Sequence, residues 1–421
     1  MRINQVKSEA FSKLTDKFQN FIDNNETGSI LCAVYHEGRL VYCNKFGWRD
    51  KTNKIPIEFD DIFRIYSMTK PIICLAALIL HEEGKYNLDD PIEKFLPEFK
   101  DVKILKSHNH ETGDTELEET KNKITFKHLF THTSGISYGF YPGIPVDKLY
   151  GEKFGFVGEN RTKSVLESLP KLDILDEFSE KLTSLPLVFE PGTNLWYGFN
   201  CDILGLLVEK LSGKKLDVFL KERIFDKLGM TDTDFYVSEE KRNRLVKAYM
   251  RKHDGELIEV KGDMSNGFDS KPDFLSGGAG LVSTLEDYLK LTLMLLNGGE
   301  YNGNRIVSSK TIELMRSNHL QDGKTYLDMQ YIKVEDPELI EMTKGYGYGL
   351  GVIVKIAENR AKSGIGEYGW AGAANTLFRI DPAKQVITIV FSQHIPPDNN
   401  WIQPILTDDV RNLVYEALNI D

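Results

Sequence analysis

The chain has 421 residues, of which 41% are hydrophobic and 27% are charged, and its formal net charge at pH 7 is −11. These values are typical of a globular protein with a large core and room for two domains. The acidic balance argues against nucleic-acid binding, and the longest apolar run, residues 72–80, is too short to cross a bilayer. No apolar segment follows Met1, so we expect no signal peptide, no membrane association and a cytoplasmic location.

Hydrophobic periodicity and turn signals predict the following elements in chain order: a helix over 10–24, strands over 29–35 and 40–46, a helix from Ser67 through 80, short helices over 88–95 and 126–130, helices over 163–185, 202–211 and 216–228, a strand over 244–251, helices over 284–296 and 309–315, strands over 350–355, 375–380 and 386–393, and a helix over 402–418. The polar tract 107–120 predicts an exposed loop. This order favours an α/β (α+β) layer interrupted by a helical insertion. We expect residues 1–95 and 265–421 to form a discontinuous α/β domain and 96–264 a mainly helical one, with the active site between them.

The most informative motif is the S-x-x-K pair formed by Ser67 and Lys70 at the head of the apolar helix. Residues three apart lie on one helix face, so a hydroxyl and an amine are held side by side. That arrangement suits a serine nucleophile whose proton must leave and a lysine that can accept it. Pro71 is compatible with the first helical turn, whose N–H groups lack helical partners and can face an oxyanion. The alternative is an N-cap serine before a core helix.

Three other serines match catalytic patterns. Ser212 begins a second S-x-x-K match at a predicted helix end, and Ser238 begins a third in a charged run, where an N-cap is expected. Ser137 fits the G-x-S-x-G nucleophile elbow, which needs a strand before it and a helix after it. The segment before Ser137 predicts a short helix, and Pro142 and Pro145 cannot continue a helix. We therefore expect Ser137 to be a turn residue.

Two further segments are candidate site elements. Tyr197 lies just before the helix predicted at 202–211. It could act as a general base if nearby cations favour its phenolate, or it could be a packed aromatic with a satisfied hydroxyl. Small residues surround Trp370 in the segment 368–375, so a strand edge there could approach a substrate closely and donate an N–H to an oxyanion. The alternative is a tight strand entry with a core tryptophan.

Cysteine and histidine patterns predict neither a metal site nor a cofactor. The cysteines at positions 32, 43, 74 and 201 form no C-x-x-C pair, so we expect buried free thiols. A disulfide between Cys32 and Cys43 across the predicted hairpin is the less favoured alternative. No H-E-x-x-H pattern occurs, and we expect His132 and His394 to make structural hydrogen bonds.

Together these segments resemble the serine β-lactamase-like superfamily, which includes penicillin-binding proteins and class C β-lactamases, and most closely the family VIII carboxylesterases. The resemblance covers about residues 28–393. Its most specific pieces are Tyr66-Ser67-Met68-Thr69-Lys70-Pro71, Leu129-Phe130-Thr131-His132-Thr133-Ser134-Gly135-Ile136, Phe189-Glu190-Pro191-Gly192-Thr193 with Tyr197, Ile224-Phe225-Asp226-Lys227-Leu228-Gly229-Met230, and Ser276-Gly277-Gly278-Ala279-Gly280-Leu281. It implies a β-lactamase/transpeptidase-like fold, with an antiparallel sheet flanked by helices and a mainly helical inserted domain.

The resemblance also implies roles for individual residues. Ser67 would be the acylated nucleophile, and Lys70 would take part in its deprotonation. Tyr197 would act as general base or proton shuttle. The backbone N–H groups of Ser67 and Ala373 would form the oxyanion hole.

Two departures from the β-lactamase pattern bear on the substrate. β-Lactamases and peptidases usually carry Tyr-x-Asn, but this chain has Phe199 in the third position, which cannot make the amide's hydrogen bonds. Trp370-Ala371-Gly372 stands where β-lactamases carry Lys-Thr-Gly, so the cation that would pair with a substrate carboxylate is missing. The esterase branch typically has Trp-Gly-Gly, so Ala371 is a small departure. The substrate-binding residues predicted on this basis are Tyr138, Phe199, Trp370, Ala371 and Gly372, with Phe140 and Tyr141 adding to an apolar pocket.

We therefore expect a serine carboxylesterase that cleaves small or short-chain esters through an acyl-enzyme on Ser67. One alternative passes the acyl group to an acceptor other than water, as an acyltransferase does. Others retain β-lactamase or D-amino-acid peptidase activity, or use the fold as a non-enzymatic scaffold or sensor. The expected partner is a small-molecule ester, and the oligomeric state stays open.

Overall fold

The computed structural model describes residues 3–109, 112, 114–141, 143–154, 175–260, 268–395 and 407–420. The strands, in chain order, are β1 (Ser29–His36), β2 (Arg39–Asp50), β3 (Ile55–Pro56), β4 (Phe63–Arg64), β5 (Lys103–His108), β6 (Thr115–Glu119), β7 (Tyr249–Arg251), β8 (Leu257–Glu259), β9 (Val282–Ser283), β10 (Glu300–Tyr301), β11 (Asn304–Arg305), β12 (Tyr346–Tyr348), β13 (Ile353–Lys355), β14 (Tyr368–Gly372), β15 (Thr376–Asp381) and β16 (Val386–Phe391). The α-helices are α1 (Ser12–Asp23), α2 (Thr69–Glu82), α3 (Phe126–Phe130), α4 (Pro145–Phe154), α5 (Leu175–Thr183), α6 (Asn200–Ser212), α7 (Leu216–Leu220), α8 (Asp226–Leu228), α9 (Leu285–Leu296), α10 (Ser309–Met315), α11 (Tyr326–Met329), α12 (Pro337–Thr343) and α13 (Asp408–Leu418).

Within the described residues, eight strands form one antiparallel sheet in the order β12-β13-β14-β15-β16-β1-β2-β3. β1 lies between β2 and β16, so the N-terminal hairpin pairs with the last strand of the chain. Along β1, Ile30 and Cys32 face one core cluster, whereas Leu31 and Ala33 face another. This two-residue alternation is that of a strand buried on both faces.

Helices cover both faces of the sheet. Leu14 and Phe18 of α1 pack with Val410 and Val414 of α13 against one face. The other face packs against α9 and α2, and every residue from 69 to 80 of α2 is buried. A helix that is apolar on all sides belongs inside a core. The expectation of an antiparallel sheet flanked by helices is confirmed, whereas the division into two domains stays a prediction.

The predicted exposed loop over 107–120 is wrong in part. β5 and β6 pair as an antiparallel ribbon, in which Lys103 lies opposite Glu119. An ion pair of 2.7 Å joins these two residues, and Lys106 pairs with Glu116 at 2.5 Å. The ribbon is exposed, as expected, but charged cross-strand pairs rather than apolar alternation hold its register. A search for apolar alternation therefore misses it.

Several predicted elements differ in extent. The predicted strand over 244–251 shortens to β7: Arg244 ends the 3₁₀ helix Glu239–Arg244, and residues 245–248 form no strand beyond the isolated bridge of Leu245 to Ile62. The predicted helices over 163–185 and 402–418 lie partly outside the described residues, and their described parts contain α5 and α13. None of the helices that the structure describes is both long enough and apolar enough to span a membrane.

All four cysteines are buried free thiols, as the sequence predicts. Cys32 points into the cluster beneath α1 and α13, whereas Cys43 belongs to the cluster on the opposite face. In the hairpin register, Cys43 lies opposite Ala33 rather than Cys32. The alternative of a Cys32–Cys43 disulfide is therefore wrong, because the two thiols are on opposite faces of the sheet.

Candidate active site

Ser67 lies in a 3₁₀ helix, Tyr66–Met68, directly before α2. All residues from 61 to 80 are buried except Ser67, which is half-buried. Lys70 is the second residue of α2 and Pro71 the third, so the proline sits in the first turn as predicted. The fold therefore exposes one hydroxyl at the end of an otherwise buried helix.

The backbone beside Ser67 is strained and held from both sides. Tyr66 has a φ of 42°, in the left-handed region that side chains other than glycine avoid. Such a conformation costs on the order of 1–3 kcal/mol and persists only where its surroundings enforce it. Here Ile65 N–H donates to the Leu281 carbonyl at 3.1 Å, and Tyr288 Oη donates to the Met68 carbonyl at 3.0 Å. These bonds fix the turn that carries Ser67.

The structure brings Ser67, Lys70 and Tyr197 into direct contact. Lys70 Nζ donates to Ser67 Oγ at 3.1 Å, and Tyr197 Oη donates to the same oxygen at 2.9 Å. Lys70 is only 1% exposed, and its Nζ lies 4.5 Å from the centroid of the Tyr197 ring. A nucleophile bonded to an amine and a phenol has two groups through which its proton can leave.

Tyr197 is supported by the turn that contains His132. Trp196 N–H donates to the His132 carbonyl at 2.9 Å, and the His132 ring lies 4.7 Å from the Tyr197 ring. Asn200 Nδ2 donates to His132 Nδ1 at 2.9 Å. Burial, and secondarily the charge of Lys70, hold the pKa of His132 well below its usual value. His132 is thus a neutral ring that packs behind Tyr197 and makes the structural hydrogen bond expected of it.

A second acceptor of Lys70 is a backbone oxygen. Lys70 Nζ donates to the Gly278 carbonyl at 2.7 Å. No side-chain pattern predicts this contact, and its only trace in the sequence is the glycine-rich run from Ser276 to Leu281, which permits a close approach of the backbone. Gly278 in turn contacts Asp202, a buried carboxylate that sequence reasoning misses because it lies inside an apolar helix.

The end of β14 lies against the Ser67 turn. A Cβ atom on Gly372 would collide with the Ile65 carbonyl, so only glycine permits this approach. Thr376 Oγ1 donates to the same carbonyl at 3.3 Å. The turn after Gly372 contains Ala373, which packs against the cluster that contains Tyr66. The assignment of the Ser67 and Ala373 N–H groups to an oxyanion hole stays a prediction. The two residues lie in segments that contact each other, the Ser67 turn and the end of β14.

Trp370 and Ala371 point to opposite faces of β14. The half-buried Trp370 ring lies 6.0 Å from the Tyr197 ring and 5.4 Å from the Tyr348 ring. Ala371 instead packs with the cluster beneath α1 and α13. Trp370 is therefore placed beside the Ser67 group, whereas Ala371 could reach a substrate only through its backbone.

Phe199 and Tyr138, two of the predicted substrate-binding residues, are buried beside the site. Phe199 is 0% exposed, and its ring lies 4.5 Å from Tyr138 and 4.8 Å from Phe154. Tyr138 is 4% exposed and stacks on Phe140 at 4.8 Å. Phe199 immediately precedes α6, where its side chain points into the core. The two aromatics pack beneath Lys70 and Tyr197, and their contact with substrate stays a prediction.

The Ser137 hydroxyl is hydrogen-bonded to Asp147 and Trp196, which are also bonded to each other. It donates to Asp147 Oδ1, and Trp196 Nε1 donates to both residues, at 3.1 Å to Ser137 and 2.9 Å to Asp147. Ser137 is 0% exposed. A helix does follow it, but α4 starts only at Pro145, and Pro142 lies outside the described residues. The α3 helix rather than a strand precedes the motif, so the nucleophile-elbow geometry is not formed.

The other two S-x-x-K matches have the structural places predicted for them. Ser212 is the last residue of α6, and Gly213 after it adopts a left-handed φ of 69°. Ser238 is the N-cap residue of the Glu239–Arg244 turn. Ser67 thus differs from Ser212 and Ser238 in that its hydroxyl contacts a lysine and a tyrosine.

Comparison with known proteins gives one family. Residues 14–403 match the family model described as Beta-lactamase. The chain is 30% identical over 344 residues to the acyltransferase mokF of Monascus pilosus, covering 79% of this chain and 77% of the relative. It is 27% identical over 417 residues to a lovastatin esterase of Penicillium rubens, covering 94% and 96%. Among solved structures it is similar to EstCE1, a hydrolase with promiscuous acyltransferase activity, with a TM-score of 0.76, 22% identity and coverage of 97% and 99%. The chain belongs to the β-lactamase family.

Proposed function

We propose that this member of the β-lactamase family hydrolyses small or short-chain carboxylic esters through an acyl-enzyme on Ser67. The observation that carries the proposal is the position of Ser67 Oγ, 3.1 Å from Lys70 Nζ and 2.9 Å from Tyr197 Oη. A relative that matches 94% of the chain is named an esterase, which supports ester cleavage.

Acylation would begin when Ser67 Oγ attacks the ester carbonyl carbon. The serine proton passes to Lys70, or to Tyr197 acting as its phenolate, while the carbonyl oxygen becomes an oxyanion. The backbone N–H groups of Ser67 and Ala373 are the proposed donors to that oxyanion. Collapse of the intermediate breaks the ester C–O bond, and the same proton is returned to the leaving alkoxide as an alcohol.

Deacylation would repeat these steps with water in place of the serine. The pair Lys70 and Tyr197 takes one proton from water, whose oxygen attacks the acyl carbon. The bond to Ser67 Oγ then breaks, Ser67 regains a proton, and the carboxylic acid leaves. Two groups on one side of the serine are sufficient for both half-reactions, because each takes up a proton in one step and returns it in the next.

The residues around the site favour esters over β-lactams. Trp370, at the place where the β-lactamases have a cation, offers an apolar face and no charge to a substrate carboxylate. Phe199 takes the place of an amide side chain, and its burial leaves no donor there for a substrate amide. We therefore expect nitrocefin to be cleaved far more slowly than the best ester.

Acyl transfer is the second candidate, and one comparison favours it. The relative of Monascus pilosus that is 30% identical is named an acyltransferase. Transfer needs the same acyl-enzyme on Ser67 and differs only in the acceptor, an alcohol instead of water. Product analysis with an added alcohol separates the two reactions, since transfer yields a new ester and hydrolysis yields the free acid.

The proposal is tested by hydrolysis of p-nitrophenyl esters of increasing acyl length. Ser67→Ala is expected to lower kcat/KM by at least about a thousandfold, because it removes the nucleophile. Ser238→Ala is the matched control, since it changes another S-x-x-K serine, whose hydroxyl donates to Glu240. Activity of Ser67→Ala close to that of the unaltered protein would contradict the proposal.

A further inference from the structure

Asp202 is a carboxylate enclosed in the core directly behind Lys70. It lies in the first turn of α6 and is 1% exposed. Its Oδ1 accepts from Ser276 Oγ at 2.7 Å and from Gly278 N at 3.0 Å, and its Oδ2 accepts from Tyr138 Oη at 3.3 Å. Three donors aimed at one carboxylate stabilise its charged form, as a buried charge requires.

Gly278 lies between Asp202 and Lys70 and bonds to both, through the two peptide groups on either side of its Cα atom. Its N–H donates to Asp202, and its carbonyl accepts from Lys70 Nζ at 2.7 Å. A Cβ atom on Gly278 would collide with Tyr138 Oη and Asp202 Oδ2, so the peptide fits only because the residue is glycine. The lysine that contacts Ser67 Oγ therefore donates to the carbonyl of a residue whose own N–H is held by the carboxylate.

The segment that contains Gly278 continues to the other side of Ser67. Leu281 N–H donates to Thr69 Oγ1 at 3.1 Å, and the Leu281 carbonyl accepts from Ile65 N–H at 3.1 Å. Asp202 thus anchors one end of a short segment whose other end is bonded on both sides of the Ser67 turn. A shift of Asp202 would therefore change the positions of Lys70 and Ser67 together.

The pKa of Asp202 depends on the charge of Lys70. Burial raises the pKa of Asp202, whereas the Ser276 hydroxyl, the Lys70 charge and the Gly278 N–H lower it. In the part of the chain that the structure describes, the other titratable groups that face this pair are Tyr138, Tyr197, His132, Cys74 and Cys201. His132 is held neutral by burial, and burial raises the pKa of Tyr138 and of Cys74 well above their usual values, so those three are uncharged near neutral pH. Lys70 is the cation whose charge lowers the pKa of Asp202.

We propose that Asp202 is the positioning residue for Lys70, holding its carbonyl acceptor and stabilising the ammonium that forms when Ser67 loses its proton. The proposal rests on the proposed role of Ser67 as nucleophile. Asp202 touches neither the substrate nor Ser67, and it acts through Gly278 and through its charge.

The test measures the rate at which a fluorophosphonate probe labels Ser67, as a function of pH, in the unaltered protein and in Asp202→Asn. The amide keeps the shape and an acceptor oxygen but removes the charge. We expect labelling to slow by roughly tenfold or more. We also expect the acidic limb of the profile to move, because the variant removes a charge beside the site, whereas a merely structural loss would lower the rate equally at every pH.

Asp287→Asn is the matched control. Asp287 is also a buried carboxylate in the first turn of a helix, and it accepts from Asp232 N–H at 2.7 Å and from Thr233 Oγ1 at 3.1 Å. Its carboxylate bonds to Asp232, Thr233 and Lys290 instead of to Gly278, so its variant should label at the unaltered rate. A loss common to both variants would point to general destabilisation and would overturn the proposal.

Ser276→Ala covers the case in which Asp202→Asn fails to fold, since it removes one donor to the carboxylate. It should slow labelling by a few-fold, roughly the effect of one lost hydrogen bond. A rate within twofold of the unaltered protein and an unmoved limb, in whichever variant folds, would overturn the proposal. Failure of the unaltered protein to label at Ser67 would overturn the proposed function as well, so the two failures are distinguishable.

Discussion

Two serines of this chain lie in catalytic-looking motifs, and the structure gives them opposite surroundings. Ser67 is half-buried, and its oxygen accepts from an amine and a phenol. Ser137 is 0% exposed, and its hydroxyl is bonded to a carboxylate and an indole. Both serines match the letters of a catalytic motif. The segments that flank Ser137 already argue against it in the sequence, and the partners of each hydroxyl separate the two serines in the structure.

The difference lies in what the partners of each hydroxyl can do. Lys70 and Tyr197 can each take or give a proton, and Ser67 between them is only half-buried. The Trp196 indole can only donate a hydrogen bond, and the Ser137 hydroxyl already donates its proton to Asp147. A satisfied, enclosed network of this kind stabilises a fold rather than performing a reaction.

Tyr197→Phe tests the Ser67 side of this comparison and carries the larger effect. It removes the hydroxyl 2.9 Å from Ser67 Oγ and keeps the ring between His132 and Trp370. We expect kcat for ester hydrolysis to fall by about 10²–10⁴-fold with little change in the melting temperature. Steady-state kinetics together with a thermal scan check both parts.

Tyr348→Phe is the control for that variant. The Tyr348 ring also contacts His132 and Trp370, but its hydroxyl has no hydrogen-bond partner among the described residues. Its kinetics should match those of the unaltered protein. An equal loss of kcat in both variants would show that ring packing, and not the Tyr197 hydroxyl, sets the rate.

Ser137→Ala tests the other side and should change stability instead of chemistry. It removes a hydrogen bond to the buried Asp147 carboxylate, which costs about 1.5–3 kcal/mol of unfolding free energy. We expect kcat/KM to stay within about threefold of the unaltered value, a difference of well under 1 kcal/mol in the barrier. Denaturant unfolding and ester kinetics on the same sample distinguish a structural serine from a catalytic one.

The stability loss of Ser137→Ala should also depend on pH. Burial raises the pKa of Asp147, whereas the Ser137 hydroxyl lowers it by stabilising the charged form. Without Ser137 the folded-state pKa rises further, so the loss is full at pH values above that pKa. It shrinks as pH falls through it and Asp147 becomes protonated. A loss that is constant from neutral to acidic pH would contradict this reading of the Ser137–Asp147 bond.

The sequence predicts elements whose signals are local. β1 alternates between two cores and α2 is apolar on every side, so both are visible in a short window. The pair Ser67 and Lys70 is visible for the same reason, because three residues of helix hold them together. The β5–β6 ribbon escapes because its register rests on cross-strand charges.

The rest of the site depends on contacts between distant segments. Lys70 and Gly278 are 208 positions apart in the sequence, and Asp202 and Gly278 are 76 positions apart. Neither contact has a periodicity or a motif spacing that a single sequence could reveal. The burial of Phe199 likewise could not be predicted from the sequence, because an aromatic residue next to a predicted site suits a pocket wall and a core equally well.

Peptide mapping by mass spectrometry after brief reaction with a fluorophosphonate tests the acylation centre most directly. We expect one adduct, on the peptide that contains Ser67, and no adduct in the Ser67→Ala variant. The Ser137 peptide of the same digest is the internal comparison and should stay unmodified. An adduct on Ser137, or labelling that persists in Ser67→Ala, would contradict the assignment of Ser67 as the nucleophile.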